Sequence, residues 1–393
     1  MIRKIETSEL RIGMFIDNLD CSWLKHPFVK NKFTVKNSQI IQKIASAGIR
    51  HVYIDIKQGD DVEELEINDE PEPTPTAKES PDESAKTSVA EESGRARLLF
   101  REATTVVRNM MEDARLGKQV EMEALDPIAE RMVQIAMRNH HALNCVTRIK
   151  NKDEYTFMHS VSVAGLMVSF AQALGLAEEV LHQVAIGGLV HDIGKTLIPD
   201  KILNKPDKLE TSEMDVMKKH VIYSQQLLKE SLGLSQEALD VTVLHHERMD
   251  GAGYPLGLGG DQISNIGQMA AIVDVYDALT SERAYKEAWE PTHTLKKLIE
   301  WSPAHFNPDL VQQFIRCLGI YPVGSLVELE SGLLALVMEP GENMLRPRLK
   351  AIYSVKQKSY IKVKEIDLAR VKTDSIVKAI SPRQYNIKVE AFM

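Results

Sequence analysis

An acidic stretch between Asp60 and Glu92 constrains the fold of this chain more than any other feature. It holds 13 aspartate and glutamate residues against two lysines, and it contains the run PEPTP and no aromatic residue. Such a composition buries too little apolar surface to offset the entropy that is lost when a backbone is ordered. We therefore predict a disordered acidic linker over residues 59–95, with a separate folding unit on each side.

The two sides of this linker differ in periodicity. Residues 1–58 predict a small α+β module, in which NSQIIQKIASAGI favours a helix and HVYIDI alternates like a strand. Residues 96–140 and 141–322 show helical spacing of apolar residues, which predicts connecting helices and then a helical bundle. Residues 323–393 alternate apolar and polar side chains between Gly and Pro turns, so we predict a small β-rich extension. The predicted fold class is mainly α.

The composition argues against several partners and locations. The formal net charge of −8 gives no support for binding to a nucleic-acid polymer. Three scattered cysteines without a CxxC pair argue against a disulfide framework and favour a reducing, cytoplasmic location. The N-terminal MIRKIETSEL has no apolar signal core. The most apolar long stretch, Val161 to Ala177, is interrupted by polar residues such as Ser162 and Gln172, so we predict a buried helix and no membrane span.

Five histidines and two aspartates stand at the polar edges of apolar helical segments in the bundle region. They are His159, His191, Asp192, His220, His245, His246 and Asp274. Each one alone is more often a satisfied core polar group than a ligand, but seven in one helical region favour a metal site over a bundle with incidental histidines. Imidazole and carboxylate suit iron, manganese, zinc or nickel. Facing helices can supply such ligands to two ions, for which Asp192, beside His191, is the natural bridge.

The helical context of two ligands carries further expectations. His159 is expected to open an apolar helix that runs from His159 to Leu174. His220 is expected about two turns into a helix that starts near Thr211 or Ser212. Two divalent ions would leave the site positively charged after two aspartates are counted, which suits an anionic substrate.

Five motifs, in order, resemble the HD-GYP family. They are HDIGK at 191–195, a histidine at 220, HHE at 245–247, DGAGYP at 250–255 and DVYDALTSERAY at 274–285. This family is the branch of the HD phosphohydrolases associated with hydrolysis of cyclic di-GMP, and the resemblance makes residues 141–322 its catalytic domain. Residues 2–58 are similar to the domain of unknown function that often precedes HD-GYP domains, through ELRIGMFI and the segment ending HVYID.

The resemblance implies a role for each motif residue. One ion would be held by His159, His191, Asp192 and Asp274, and a second by Asp192, His220, His245 and His246. The catalytic residues would be Asp192, as the bridge, and Lys195, as a contact to the substrate phosphate. The substrate would be bound by Lys195, Tyr254, Arg283 and Lys286. Asp277, one turn after Asp274, would be an extra ligand or would support one.

The sequence differs from the family pattern at two positions. Some members have a glutamate one turn before the first histidine, where it supports a third metal; here that position is Tyr155, and Glu154 is one residue off. We therefore predict two ions, iron or manganese first, with zinc or nickel as alternatives. The second departure is Ala284 in SERAY, where the family more often has proline, and it leaves the ligand set complete.

The resemblance implies a metal-dependent phosphodiesterase that hydrolyses cyclic di-GMP to pGpG, with further cleavage to GMP left open. A hydroxide bridging two metals would attack phosphorus. The alternatives are a catalytically weak cyclic-dinucleotide receptor or interaction module, and a hydrolase of another cyclic dinucleotide. The GYP turn could dock a diguanylate cyclase domain, and a homodimer is kept open as the assembly.

The stretch HHERMDGAGYP joins a ligand pair to a glycine-bracketed turn. Gly251 and Gly253 would let the backbone turn sharply away from the ligand helix. Tyr254, stiffened by Pro255, would then face the nucleotide. This turn is the predicted substrate wall.

Overall fold

The structure is a computed structural model, and it describes residues 2–19, 32–46, 49, 51–56, 59, 89–147, 155–229, 234–282, 287–341 and 343–392. The chain divides into two compact units, residues 1–83 and 84–393. Residues 60–88 of the predicted linker lie outside the described residues. Residues 89–95 are helical rather than part of a linker: Val89 and Ser93 are buried, and the buried Glu92 forms an ion pair with Arg138 of a later helix.

The first unit is an antiparallel sheet with one helix. Its elements are β1 (Ile2–Glu6), β2 (Phe15–Leu19), β3 (Phe33–Thr34), α1 (Ser38–Ser46) and β4 (His51–Asp55). The strand order is β1-β4-β2-β3. Alternation in β4 buries Val52 and Ile54, which pack in one cluster with Met14 and Ile44. The Asn37 side chain accepts the Ile40 N–H at 3.2 Å, as expected of a helix N-cap.

The second unit begins with helices that match the predicted bundle. They are α2 (Val89–Arg115), α3 (Asp126–Asn139), α4 (His141–Val146), α5 (Tyr155–Ala173), α6 (Glu178–Val190), α7 (Asp200–Leu203), α8 (Thr211–Lys218), α9 (His220–Lys229), α10 (Gln236–Leu244), α11 (Asn265–Thr280), α12 (Pro291–Trp301) and α13 (Pro308–Leu318). A short 3-10 segment, Ile193–Leu197, follows α6 directly. In the described part of the chain, no helix has both the length and the hydropathy to cross a bilayer.

Two glycines bring α6 close to the helices on either side of it. A Cβ atom on Gly188 would lie 2.5 Å from the Ala164 Cα in α5, and one on Gly187 would lie 2.8 Å from the Ala238 carbonyl oxygen in α10. Only glycine permits such backbone approaches. Because α5, α6 and α10 carry or immediately precede predicted ligands, this packing determines how closely those ligands can converge.

Two predicted helix boundaries were wrong. The helix that carries His159 begins at Tyr155, so His159 lies in its second turn. His220 is the first residue of α9 and not the third turn of α8, which ends at Lys218. The two helices are separated by Lys219, whose N–H bonds to the Val216 carbonyl at 3.1 Å. No Gly or Pro marks this interruption in the sequence, so the sequence predicted one continuous helix.

The C-terminal residues of the second unit form an antiparallel sheet, as predicted. Its strands are β5 (Leu326–Leu329), β6 (Leu333–Glu339), β7 (Arg348–Ser354), β8 (Ser359–Asp367) and β9 (Ile376–Ile380), in the order β8-β7-β6-β5-β9. Both faces carry buried side chains, with Val327 and Val337 in one cluster and Leu326 and Leu336 in another. The predicted fold class, mainly α with small strand-containing modules at both ends, is confirmed.

Candidate metal centre and substrate wall

The first ligand group is assembled from three helices around His159. His159 lies in α5, His191 and Asp192 follow α6, and Asp274 lies in α11. The His159 Nε2 atom is 3.0 Å from Asp274 Oδ1 and 3.7 Å from Asp192 Oδ2. His191 Nε2 is 3.3 Å from the same Asp192 oxygen. All four residues are buried.

The second ligand group consists of His220, His245 and His246. Each offers a ring nitrogen, and these atoms lie within 4.8 Å of one another. The other carboxylate oxygen of Asp192, Oδ1, is 3.4 Å from His220 Nε2. The two oxygens of Asp192 therefore face different groups, as a bridging carboxylate must.

Four of the ligand histidines are held in one tautomer by hydrogen bonds from Nδ1. The Nδ1–H donates to a carbonyl three residues earlier in His191, His220 and His245, each at 2.8 Å. In His159 it donates to the Asp277 carboxylate at 2.6 Å. In His191, His220 and His245 this bond leaves the Nε2 lone pair directed toward the centre of the cluster, which is the arrangement that metal-ligating histidines use. In His159 it directs Nε2 to the same centre, 3.0 Å from Asp274 Oδ1, where a metal ion would replace the proton of that contact.

Several of these inward atoms are buried without a hydrogen-bond partner among the described residues. They are the Nε2 atoms of His191, His220 and His245 and the Oδ1 atom of Asp192. A buried acceptor without a donor is costly unless another group satisfies it. Neutral imidazole and carboxylate are good ligands for divalent transition metals, so the residues fit a divalent metal centre.

Burial keeps the second group in the neutral form that a metal requires. It lowers the pKa of His220 to about 4 and that of His246 to about 3. Burial, with the neighbouring His246, also holds the pKa of His245 well below its usual value. All three rings are therefore free to donate a nitrogen lone pair at neutral pH.

The two carboxylates of the cluster are ionised. Burial opposes ionisation of Asp192, but Lys195 and His191 outweigh it and hold its pKa well below the usual range. His159 does the same for the buried Asp274. For His159 itself, burial lowers the pKa, but hydrogen bonds to carboxylates, the one to Asp274 foremost, outweigh it and raise the pKa.

Lys195 reaches the cluster from the 3-10 segment after α6. Its ammonium group donates to Asp192 Oδ2 at 2.5 Å, and the side chain is 25% exposed, so it connects the ligands with solvent. Gly194 allows this segment to lie against α9, because a Cβ atom there would overlap the His220 carbonyl. The Gly194 N–H donates to Ser224 Oγ at 2.8 Å, which in turn donates to the His191 carbonyl.

The predicted substrate wall lies beside the second ligand group. The Tyr254 ring centroid is 4.6 Å from that of His246, and the Tyr254 N–H donates to the His246 carbonyl at 3.1 Å. Gly251 has φ of +75°, the left-handed conformation predicted for the hinge. Gly253 is needed for another reason, because a Cβ atom there would lie 2.5 Å from the Glu247 Cα.

Three residues around the site were missed or only partly predicted. Glu247 is buried and accepts backbone N–H groups of the GYP turn. Lys218 places its ammonium group 5.7 Å from the Tyr254 ring centroid. Asp277 was predicted to be either an extra ligand or the support of one, and its carboxylate accepts a hydrogen bond from His159. The position of Glu247 directly after the ligand pair was the available signal, but a single glutamate there could equally face solvent.

The structure brings most of the predicted site residues together. The seven metal-site residues form the two adjoining groups, Lys195 contacts Asp192, and Tyr254 lies against His246. Two predicted substrate contacts, Arg283 and Lys286, lie outside the described residues, as does Glu154.

Comparison with known proteins identifies the family. Residues 131–310 match the family described as HD domain, and residues 2–125 match one described as Domain of unknown function (DUF3391). Cyclic di-GMP phosphodiesterase PA4108 of Pseudomonas aeruginosa is 37% identical over 380 residues, which cover 96% of this chain and 92% of that protein. The chain therefore belongs to the HD-GYP family of HD-domain phosphodiesterases, as the motifs predicted.

Other relatives match over shorter regions. The cyclic di-GMP phosphodiesterase response regulator RpfG of Xanthomonas campestris is 35% identical, over 55% of this chain and 58% of its own length. The 3'3'-cGAMP-specific phosphodiesterase 2 of Vibrio cholerae is 38% identical, over 43% of this chain and 33% of its own length. A solved structure, Bd1817 of Bdellovibrio bacteriovorus, has a TM-score of 0.49 at 16% identity and covers 81% of this chain and 99% of that chain.

Proposed function

We propose that this protein hydrolyses cyclic di-GMP to linear pGpG with two divalent ions bound at the paired ligand groups. One observation carries the proposal: the two oxygens of Asp192 face separate groups of inward-directed histidines. The name of the PA4108 relative, which extends over nearly the whole chain, supports cyclic di-GMP as the substrate.

The donor set of each group supports one ion. The first ion would be held by His159, His191, Asp192 and Asp274, and the second by Asp192, His220, His245 and His246. Iron or manganese is proposed first and zinc or nickel as the alternative, since mixed imidazole and carboxylate ligation suits all four metals. When bound, two divalent ions would supply a nucleophile from water at neutral pH and would offset the charge of the phosphodiester.

The protein's own side chains contribute binding, orientation and charge. Lys195, part exposed beside Asp192, would hold a non-bridging phosphate oxygen and neutralise charge that develops on it. The hydrogen bonds from Nδ1 fix four imidazoles so that no ligand has to reorient during turnover. Burial of these ligands keeps bulk water from competing with the substrate.

Tyr254 and Lys218 would bind the nucleotide rather than the reacting phosphate. The aromatic ring beside His246 offers a stacking surface for a guanine base. The Lys218 ammonium, near that ring, is placed to interact with the purine or with the second phosphate of a cyclic dinucleotide.

A product assay tests this function. Protein loaded with iron or manganese is incubated with cyclic di-GMP, and the products are separated with time; pGpG is expected first. The chelated protein and Asp192→Ala serve as controls and should form none. Absence of turnover with both metals would contradict the proposal and favour a cyclic-dinucleotide receptor, which a binding measurement would detect.

A second candidate is hydrolysis of another cyclic dinucleotide. It is favoured by the name of the Vibrio cholerae relative, a 3'3'-cGAMP-specific phosphodiesterase, which matches the region containing the ligand groups. Parallel assays with 3'3'-cGAMP and cyclic di-GMP at equal concentration rank the two substrates by kcat/KM. A higher value for 3'3'-cGAMP would replace cyclic di-GMP in the proposal and leave the metal centre unchanged.

The GYP turn is also proposed as the docking point for a diguanylate cyclase domain. The supporting feature is Leu256, an apolar side chain directly after the turn that is 62% exposed. Leu256→Asp should weaken binding of such a domain in a titration, whereas equal binding by both proteins would argue against this surface.

A further inference from the structure

We propose that Glu247 is a positioning residue that holds the GYP turn over the second ligand group and thereby determines affinity for the nucleotide. The inference rests on the proposed function, because Glu247 would support the turn that forms the proposed substrate wall. Glu247 itself would contact neither the substrate nor an ion. Its effect would pass through Tyr254.

The Glu247 carboxylate binds the turn with both of its oxygens. Oε1 accepts the Leu256 N–H at 2.7 Å, and Oε2 accepts the Leu258 N–H at 3.0 Å. The residue is 1% exposed. Among the described residues it forms no ion pair with a lysine or arginine, so the two backbone donors are what compensates its burial.

These bonds close a loop in which Tyr254 makes a further backbone contact. The chain leaves the ligand pair at Glu247, turns at Gly251, and returns so that the Tyr254 N–H meets the His246 carbonyl at 3.1 Å. Tyr254 thus lies between a bond to the ligand residue on one side and the Glu247 bonds to Leu256 on the other. If the carboxylate bonds were lost, the turn could lift and the ring could leave His246.

The first half of the loop has independent support. The Met249 N–H donates to the His305 carbonyl at 3.2 Å, and the Asp250 N–H donates to the Ala304 carbonyl at 2.9 Å. Loss of the Glu247 bonds should therefore free the Tyr254–Leu258 half of the loop and leave the start of the loop and the ligand pair in place. This separates nucleotide binding from metal binding.

The position requires a carboxylate rather than any polar group. A carboxylate only accepts hydrogen bonds, and both N–H groups need an acceptor. In Glu247→Gln, which has almost the same shape, one of the two N–H groups would face an NH2 donor. A charge-assisted bond is roughly twice as strong as a neutral one, so the remaining bond would weaken as well.

The first test measures the turn without substrate. Amide hydrogen exchange of the peptide spanning residues 254–258 should accelerate by about tenfold or more in Glu247→Gln, the loss expected for a buried charge-assisted bond. Asp261→Asn removes the same charge from an exposed residue of the same loop and should exchange like wild type. Unchanged exchange in Glu247→Gln would overturn the proposal whatever the substrate is.

The second test measures the affinity for substrate and whether the effect of Glu247 on it passes through Tyr254. Glu247→Gln should raise KM for cyclic di-GMP about tenfold. The kcat for bis(4-nitrophenyl) phosphate, a substrate without a base to stack, should not change. Combined with Tyr254→Ala, it should add nothing to the effect of Tyr254→Ala alone, since coupled residues are not additive. Additive effects, or loss of bound metal, would refute the role through Tyr254.

Two features keep these tests decisive. If Glu247→Gln does not fold, Gly253→Ala displaces the turn from Glu247 while keeping the carboxylate, and it should raise KM in the same way. If wild-type protein turns over no cyclic di-GMP, the proposed function fails. The exchange measurement then still confirms or overturns the positioning role.

Discussion

Asp277 should control the affinity of the first ligand group without touching an ion. Its carboxylate accepts the Nδ1–H of His159 at 2.6 Å, and both residues are buried. The hydrogen bond fixes the tautomer of His159, makes its Nε2 atom more basic and prevents the ring from rotating. Loss of such a partner typically weakens metal binding by about 10- to 100-fold.

Two substitutions separate the contribution of the Asp277 charge from that of the hydrogen bond. Asp277→Asn keeps an amide oxygen that can accept the Nδ1–H but removes the charge, so we expect about tenfold weaker binding, or about 1.4 kcal/mol. Asp277→Ala removes the acceptor and frees the ring, and we expect a loss near the upper end, roughly 100-fold. The second ligand group has its own hydrogen bonds to backbone carbonyls and should keep its affinity.

A metal titration against a competing chelator measures both sites. The Asp277 variants should bind one ion at wild-type affinity and the other more weakly, with Ala weaker than Asn. Asp261→Asn, an exposed carboxylate in the same domain, is the matched control. Equal affinity in wild type and Asp277→Ala, or equal weakening of both sites, would refute the reasoning.

Three further predictions follow from the same site. Asp192→Ala should lose turnover and both ions. It should remain folded, because Lys195 can turn to solvent once its partner is removed. Circular dichroism and metal analysis check this, and retained activity would contradict the bridging role of Asp192. Lys195→Met should lower kcat by about 10²- to 10³-fold while the metal content stays full, as for loss of one charge-stabilising donor. Steady-state assays that show only a change in KM would exclude a role for Lys195 in stabilising the developing charge. In the metal-free protein, the free energy of unfolding should decrease as pH falls from about 6.5 toward 4, by up to about 3 kcal/mol for His220, because the unfolded chain takes up the proton first. Urea titrations across this range measure the slope, and a flat profile would contradict the buried neutral histidine.

The cluster of candidate ligands could be predicted from the sequence because residue type and order indicate it. His191 and Asp192 are adjacent, His245 and His246 are adjacent, and every ligand stands at the edge of an apolar helical segment. Apolar periodicity likewise predicted the helical class and the β-rich end, since burial of one face determines which residues recur. The acidic run predicted a linker over residues 59–95; the boundary between the two compact units, at residues 83 and 84, falls within that range, and the linker itself stays a prediction.

The interruption at Lys219 between α8 and α9 could not be predicted, because no Gly or Pro marks it in the sequence. The start of α2 at Val89 was also missed, since seven residues with the composition of the linker belong to the helix.

The sequence alone determined which atoms are available to bind metal and phosphate, and it indicated the family through ordered motifs. Only the tertiary structure decided how those atoms are directed. The tautomer of His191, His220 and His245 depends on carbonyls near helix ends, and the orientation of His159 depends on Asp277. The position of Tyr254 depends on Glu247, whose partners are backbone N–H groups nine and eleven residues later. Every residue except proline carries the same backbone N–H and C=O groups, so a bond to them leaves no mark in the sequence, and only folding shows which side chain receives it.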